Sequence, residues 1–452
     1  MPTQCSSQSM EFARLDGRAV VADFDGGALT SDAGSLLLGA TDRAIGLVDR
    51  FAGCFSDGRA AGRVVHDVRS LIGQRVFGIA LGYEDLTDHD ELRRDPALGA
   101  VLGKLAAARP DYAPLAGKST LNRLEHAPRG AHRYHRIDHD PGAVEDLFVD
   151  LFLEAHAKRP RRLVLDLDAT DDPIHGRQEG RFFHGYYDCY CYLPLYIFCG
   201  DHLLAAKLRR SNIDASAGAV TEVARIVDRI RTRWPRIKIV LRADSGFARE
   251  ELMAWAEANR VDYIFGLARN PRLVEHIHAD LAWAEHEAQA SGRSARRFAD
   301  FRWITRDSWS RRRRVVAKAE WMPGRAERGA NPRFVVTSLP ASQVDARRLY
   351  EQFYCARGDM ENRIKECQLD LFSDRTSAAT MAANQLRLWP YPSLGHGLCP
   401  ALSPAPPWPG PYQAGQGHLR HHPPDAVEDR RPGPDQRPAY PHRHGLGLPI
   451  RR

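Results

Sequence analysis

The chain has no apolar run approaching the roughly 20 residues needed to cross a bilayer, and no basic segment leading into a short apolar stretch at its start. Nothing in it marks insertion or export, so the expected address is the cytoplasm, with no membrane partner. Its eight cysteines lack Cys-x-x-Cys spacing, which argues against a zinc ribbon or a dithiol redox motif. Charge of one sign is not extreme either. The 64 Lys and Arg residues exceed the 57 Asp and Glu residues by seven, a lean towards polyanionic partners that does not identify one.

What is present is a globular composition, 43% apolar over 452 residues, enough for more than one domain. Residues 1–30 carry little pattern. Ser31 and Asp32 can cap a helix running through Asp49, Val64–Leu81 forms a second helix or pair, and Leu98–Ala107 and Ser119–His126 are shorter candidates. This predicts an all-helical front end of about 150 residues. Gly117-Lys-Ser-Thr120 has the ending of a phosphate-binding loop, but the motif requires glycine at position 112, which is tyrosine. It reads better as the capped start of a helix. With the basic, histidine-rich Arg129–Arg136 behind it, the front end is a candidate for a DNA-reading helix pair; a solvated basic face is the competing reading.

After a helix over Val144–Ala157 comes Arg162-Leu-Val-Leu-Asp-Leu-Asp-Ala-Thr-Asp-Asp-Pro173. Leu163, Leu165 and Leu167 alternate with Val164, Asp166 and Asp168, the period of a strand that ends in carboxylates. A glycine-punctuated polar hairpin spans Gly176–Gly185. Strands follow over Tyr190–Phe198 and Leu203–Leu208, then a helix over Ala215–Trp234, a strand over Ile237–Ala243, a helix over Arg249–Asn259 and a strand over Tyr263–Leu267. A meander feeding parallel β-α units predicts a mixed α/β sheet with helices on its faces. Beyond Arg272, alternating stretches at Phe298–Thr305, Arg314–Trp321 and Phe334–Leu339 predict a β-rich insertion. A long helix is expected from Ala341 to Leu388. From Pro390 the composition changes abruptly: about half of the chain's 29 prolines crowd into a tail with few aliphatics, which predicts disorder. A frameshifted reading of a GC-rich gene accounts for so sharp a switch.

Three acids stand out by position. Asp168 ends the first strand, Asp244 in Arg242-Ala-Asp-Ser-Gly-Phe247 ends the fourth, and Glu361 lies on the late helix. Ligands of open α/β sheets bind beyond the carboxyl ends of the strands, so Asp168 and Asp244 become neighbours if their strands are adjacent. Three convergent carboxylates suit hard divalent cations, two of which can clamp the attacking and leaving oxygens of a phosphoryl displacement. The competing reading is a polar loop that caps the next element. Asp171 and Asp172 are expected to solvate that loop, with Asp166 as a hydrogen-bond acceptor behind Asp168. His175 and His184 are candidate DNA contacts or plain polar surface. Trp303, Trp309 and Trp321 read as core residues before they read as a stack for a flipped base.

Asp166–Pro173, Gly180-Arg-Phe-Phe-His-Gly-Tyr-Tyr187, Arg242–Phe247 and Tyr354-Cys-Ala-Arg-Gly-Asp-Met-Glu-Asn-Arg-Ile-Lys-Glu366 together resemble the DDE transposases of the IS4-like superfamily, more narrowly the IS1380 group. The resemblance covers roughly residues 15–389. It implies a ribonuclease-H-like core, and a catalytic and metal-binding triad of Asp168, Asp244 and Glu361 holding two Mg²⁺ or Mn²⁺ ions. Tyr354, Arg357 and Glu361 match a Tyr-x-x-Arg-x-x-x-Glu signature. Its lysine position, seven residues after the glutamate, is Gln368 here, leaving Lys365 as the substitute. Tyr354, Arg357 and Lys365 are thereby DNA-phosphate contacts, the alternative for Arg357 being an ion pair to Glu361. The implied partners are double-stranded DNA, as terminal inverted repeats and as target, and a second copy of the chain on that DNA.

The implied organisation is a helical DNA-binding region over 1–150, the first part of the catalytic core over 151–271, the β-rich insertion over 272–340, the glutamate helix over 341–389 and the disordered tail over 390–452. Two competing readings remain: a metal-dependent nuclease without strand transfer, and a non-catalytic DNA-binding remnant inactivated by the altered C-terminus.

Overall fold

A computed structural model describes residues 10–15, 18–22, 29–105, 113–126, 136–323 and 329–389. The basic run at 129–135 and the tail from 390, with its expected disorder, lie outside the described residues. No helix among the described residues is long and apolar enough to cross a membrane.

The front end is not all-helical. Strands β1 (Met10–Leu15) and β2 (Arg18–Ala22) pair antiparallel, and β3 (Phe55–Asp57) pairs with β4 (Ile137–His139). Strands this short offer only two or three alternations, too few to stand out against a helical pattern. Between and after them lie α1 (Ser35–Ile45), α2 (Leu47–Ala52), α3 (Val68–Ala80), α4 (His89–Leu92), α5 (Pro96–Val101), α6 (Lys118–Glu125) and α7 (Pro141–Ala155). The single helix expected through Asp49 is split at Gly46, whose φ of 66° is left-handed and ends α1. Helix α3 starts at Asp67, which accepts from Ser70 N, and α7 at Asp140 followed by Pro141. Helix α6 has Gly117 at its cap and no side-chain cap, so Ser119 lies inside the helix.

The rest of the chain builds β5 (Arg162–Ala169), β6 (Asp172–Pro173), β7 (Phe182–His184), β8 (Cys189–Tyr192), β9 (Leu195–Cys199), β10 (His202–Lys207), α8 (Ala219–Arg233), β11 (Lys238–Ala243), α9 (Glu250–Ala258), β12 (Asp262–Leu267), α10 (Pro271–His276), α11 (His278–Ser291), β13 (Ala295–Trp303), β14 (Arg313–Trp321), β15 (Arg333–Thr337), α12 (Ala346–Arg348), α13 (Gly358–Leu369) and α14 (Met381–Leu388). One eight-stranded mixed sheet dominates, in the order β10-β9-β5-β11-β12-β15-β14-β13. Strands β5, β11 and β12 run parallel, and the other pairings are antiparallel. The three strands expected as an insertion therefore extend the main sheet. The strand expected over Tyr190–Phe198 is two strands, because Pro194 has no N–H for a ladder. Its first half joins the small sheet β6-β8-β7.

The leucine face of β5 packs with Ile239 and Leu241 of β11 against Val223, Ile226, Val227 and Ile230 of α8 and Leu252 and Met253 of α9. On the opposite face, Val240, Ile264, Val316 and Val335 are covered by Leu349 and Tyr350. Further along, Tyr196, Phe198 and Leu203 share a core with the front-end helices and with Met360, Ile364, Leu386 and Trp389. The long helix expected to Leu388 is broken twice. Leu349–Tyr354 is a π-helical turn followed by a 3₁₀ turn at Cys355–Arg357. Between Leu369 and Met381 the chain leaves the helix, with Phe372 at φ 57° and Thr380 capping α14. Serine, threonine and aspartate in that gap offer the backbone local partners that compete with helix.

Candidate active site

Because side chains alternate along a strand, the leucines of β5 leave Val164, Asp166 and Asp168 together on the opposite face. Strand β11 lies alongside with Arg242 level with Asp166. Asp244 therefore leaves the carboxyl end of its strand beside Asp168. Asp166 is buried and takes two bonds from Arg242, from Nε at 2.5 Å and Nη2 at 2.7 Å. The remaining arm of that guanidinium, Nη1, donates to the carbonyl of Phe353 at 2.7 Å. One arginine thus ties two strands to the π-helical turn that delivers Arg357 and Glu361. Such turns insert a residue into a helix and re-aim the side chains beyond it.

Each strand-end aspartate uses one oxygen to fix itself. Asp168 Oδ1 accepts from Ala169 N at 3.1 Å, and Asp244 Oδ1 accepts from Gly246 N at 2.9 Å, capping the turn Ser245–Phe247. Burial pushes the Asp168 carboxyl up to about 6, Asp244 and Glu361 adding to the rise while Arg357 opposes it. Glu361 lies in the first turn of α13. Arg357 stands between the two acids, with Nη2 2.5 Å from Glu361 Oε1 and Nη1 3.7 Å from Asp168 Oδ1. Asp168, Asp244, Arg357 and Glu361 line one open cleft of about 290 Å³ with Thr170, His184, Tyr186 and Tyr187. Among the described residues no three acidic, histidine or cysteine side chains are close enough to form a ready metal-ligand group.

Tyr354 rests on Gly266, where an added Cβ would lie 2.6 Å from Tyr354 Oη, 2.9 Å from Ser245 N and 3.1 Å from the Asp244 carbonyl carbon. Two of those three atoms are backbone and cannot give way. Gly266→Ala is expected to destabilise the protein by about 1–3 kcal/mol and to displace Tyr354 or Asp244, read as a shifted urea midpoint; an unchanged midpoint would contradict this packing.

Lys365 is exposed on α13 and is not among the cleft residues. Gln368 donates from Nε2 to the Asp171 carbonyl at 3.2 Å. Asp172 does not solvate the loop. It is buried, accepts from Thr376 Oγ1 at 2.8 Å, and its carboxyl is pushed well up by that burial. The tryptophans of the sheet extension are packed: Trp309 is buried under Arg313, and Trp303 lies against His276 and Arg272. His184 reaches the cleft, while His175 does not line it.

The residues missed from sequence are Tyr186, 85% exposed yet at the cleft mouth, and its edge-on partner Tyr187. The Gly180–Tyr187 stretch marked the segment but not which ring faces the acids. Arg242 as a three-way tie was also missed, since nothing in a sequence reveals a bond to a main-chain carbonyl.

No curated protein matches the chain. The family model described as transposase DDE domain group 1 matches residues 12–394. The chain belongs to that family of DDE transposases, DNA-cleaving and DNA-joining enzymes that generally use divalent metal ions.

Proposed function

We propose that this chain cuts and joins DNA at the terminal inverted repeats of an insertion sequence of the IS1380 group, through a ribonuclease-H-like core in which Asp168, Asp244 and Glu361 are the acidic triad. The core assignment is supported by three antiparallel strands, β5, β9 and β10, followed by β11 and β12 parallel to β5 on its other side. One observation carries the site assignment. Two carboxylates leave adjacent parallel strand ends into a cleft that Glu361 also lines, where burial, with the neighbouring acids adding to it, pushes the Asp168 carboxyl up to about 6.

The donor set fits hard divalent cations: it is all oxygen and anionic, and its mutual repulsion would be relieved by positive charge. Asp168 and Asp244 would hold two Mg²⁺ or Mn²⁺ ions with Glu361 completing the set. Bound there, the ions supply Lewis acidity for the attacking and leaving oxygens. The protein's own groups do the rest. Backbone N–H groups of Ala169 and Gly246 fix the two aspartates, and the Arg242 tie holds the turn that carries Arg357. In the present arrangement Arg357 neutralises Asp168 and Glu361. With cations in place that role would be redundant, and the guanidinium would be free to grip a phosphate in bidentate fashion. Tyr354 buttresses Asp244 through Gly266, and Tyr186 meets the bound strand at the mouth.

In cleavage, a water oxygen forms a bond to phosphorus as the bond to the 3′ oxygen breaks, its electron pair leaving on that oxygen. In joining, the freed 3′-hydroxyl attacks a second phosphodiester in the same way. Two element ends must be held at once, which calls for a dimer on DNA. The discriminating experiment incubates pre-cleaved ends with a target plasmid and Mg²⁺ or Mn²⁺. Joined products are expected; hydrolysis without joining would replace this reading with a nuclease, and no reaction at all with a non-catalytic remnant.

A further inference from the structure

Many cations around the sheet are matched with carboxylates. Arg225 and Arg229 of α8 pair with Asp146 and Asp150 of α7, and Arg313 of β14 with Glu250 and Glu257 of α9. One group departs from this. At the end of the sheet where the three parallel strands begin, the ladder sets Lys238 beside Arg162, whose guanidinium lies 4.9 Å from the centre of the Phe353 ring. Arg260, at φ 55°, lies in the turn that precedes β12. The turns entering β5 and β11 add Lys158, Arg159, Arg161 and Arg236. All seven are exposed, and among the described residues none has an ion-pair partner. Of the acids at the same strand ends, Asp201 pairs with Arg363, and Asp262 accepts from Ser338 Oγ and keeps its charge.

Like charges on neighbouring strands oppose folding, so this group is not there to hold the sheet together. Its presentation is also rigid. Pro160 and Pro235 fix the backbone of the two turns, and Arg231 pins a third by donating to the carbonyls of Asn259 and Arg260. A stiff edge on which seven exposed cations outnumber the acids, Asp201 and Asp262, complements a regular polyanion. It is also remote from the cleft: six residues of strand separate Arg162 from Asp168, about 20 Å at strand rise. A duplex whose phosphate lies at the acids cannot touch this edge at the same point.

We infer that this edge grips the phosphate backbone of a second stretch of duplex DNA, outside the cleft. The identity of the polyanion rests on the transposase reading above; the existence of the site does not.

The test uses the full chain in EDTA, so that nothing is cut, with a fluorescein-labelled duplex of arbitrary sequence followed by anisotropy over a KCl series. The triple variant Arg161→Gln, Arg236→Gln, Lys238→Gln should bind at least about tenfold more weakly at low salt. Its slope of log affinity against log salt should be shallower by about 2.7, some 0.9 for each phosphate no longer neutralised. Arg161→Lys with Arg236→Lys should keep the wild-type slope, and unaltered thermal melting would show that all variants fold. An unchanged slope in the triple variant overturns the inference. Wild-type protein that nicks no plasmid yet shows the edge-dependent slope would sink the catalytic reading and leave this one standing.

Discussion

Plasmid nicking should fall by about 10²–10³-fold when Asp244 is replaced by asparagine, a loss of the size seen when a key electrostatic group is removed from an active site. The substitution is chosen so that folding is not the explanation. Asp244 caps the turn Ser245–Phe247 by accepting from Gly246 N, and asparagine accepts there equally well. What disappears is one negative charge at the carboxyl end of β11. The same loss has a second signature that does not depend on activity. Asp244 is one of the charges that push the Asp168 carboxyl up to about 6, burial being the larger cause. A carboxyl raised in the folded state contributes stability that is present below its unfolded value of 3.8 and is lost as pH rises through about 6. Removing Asp244 lowers Asp168 towards its ordinary value, so in EDTA the variant should be slightly more stable than wild type at pH 7, and equal to it near pH 4. Urea unfolding at the two pH values reads this directly. Persistent nicking would remove Asp244 from the site, and a pH-independent difference would separate it from Asp168.

That Asp166 and Asp168 share one face was legible in the sequence from the alternation of β5. Three leucines on one face require a covered layer, and they force Asp166 and Asp168 to the other. The meander and the two β-α units were legible for the same reason, since each strand or helix of the core buries a face whose period the sequence displays. The α8 stripe of Val223, Val227 and Ile230 is an example.

Features that depend on pairing partners were not legible. Strands β13 to β15 alternate clearly, but alternation does not say which edge a strand will join. Only the ladder between β12 and β15, four pairs from Ile264 opposite Thr337 to Leu267 opposite Phe334, shows that they extend the main sheet. The late helix read as continuous because Leu349, Phe353 and Ile364 keep helical spacing through a stretch that the folded chain bends into a π turn and a 3₁₀ turn. Asp172 read as a loop acid because its partner, Thr376, is far along the chain. The lysine of the family signature could be placed on α13 as Lys365, but its position outside the cleft depends on how that helix turns over the sheet.

The largest stability effect is expected at Arg242, which no sequence pattern singled out for it. Its side chain and that of Asp166 are 11% and 7% exposed, so deleting the arginine strands a buried carboxylate. Arg242→Met should destabilise the protein by about 3–5 kcal/mol, the usual effect of breaking a buried pair from one side. Burial already pushes the Asp166 carboxyl up, with Arg242 opposing; without the arginine it rises further. The deficit should therefore grow as pH rises above the unfolded value of 3.8 and shrink in acid, where Asp166 is protonated in both states. Replacing both partners, Asp166→Leu with Arg242→Met, should restore most of the stability, because no buried charge is left behind. It should not restore nicking. The Phe353 carbonyl still lacks its donor, so the π turn that aims Arg357 and Glu361 keeps the packing of Leu349 and Tyr350 on the sheet but loses the bond that fixes its far end to β11. Full recovery of nicking in the double variant would show that Asp166 and Arg242 serve stability alone, while failure to recover stability would mean that the tie to Phe353, rather than the ion pair, is what the fold depends on.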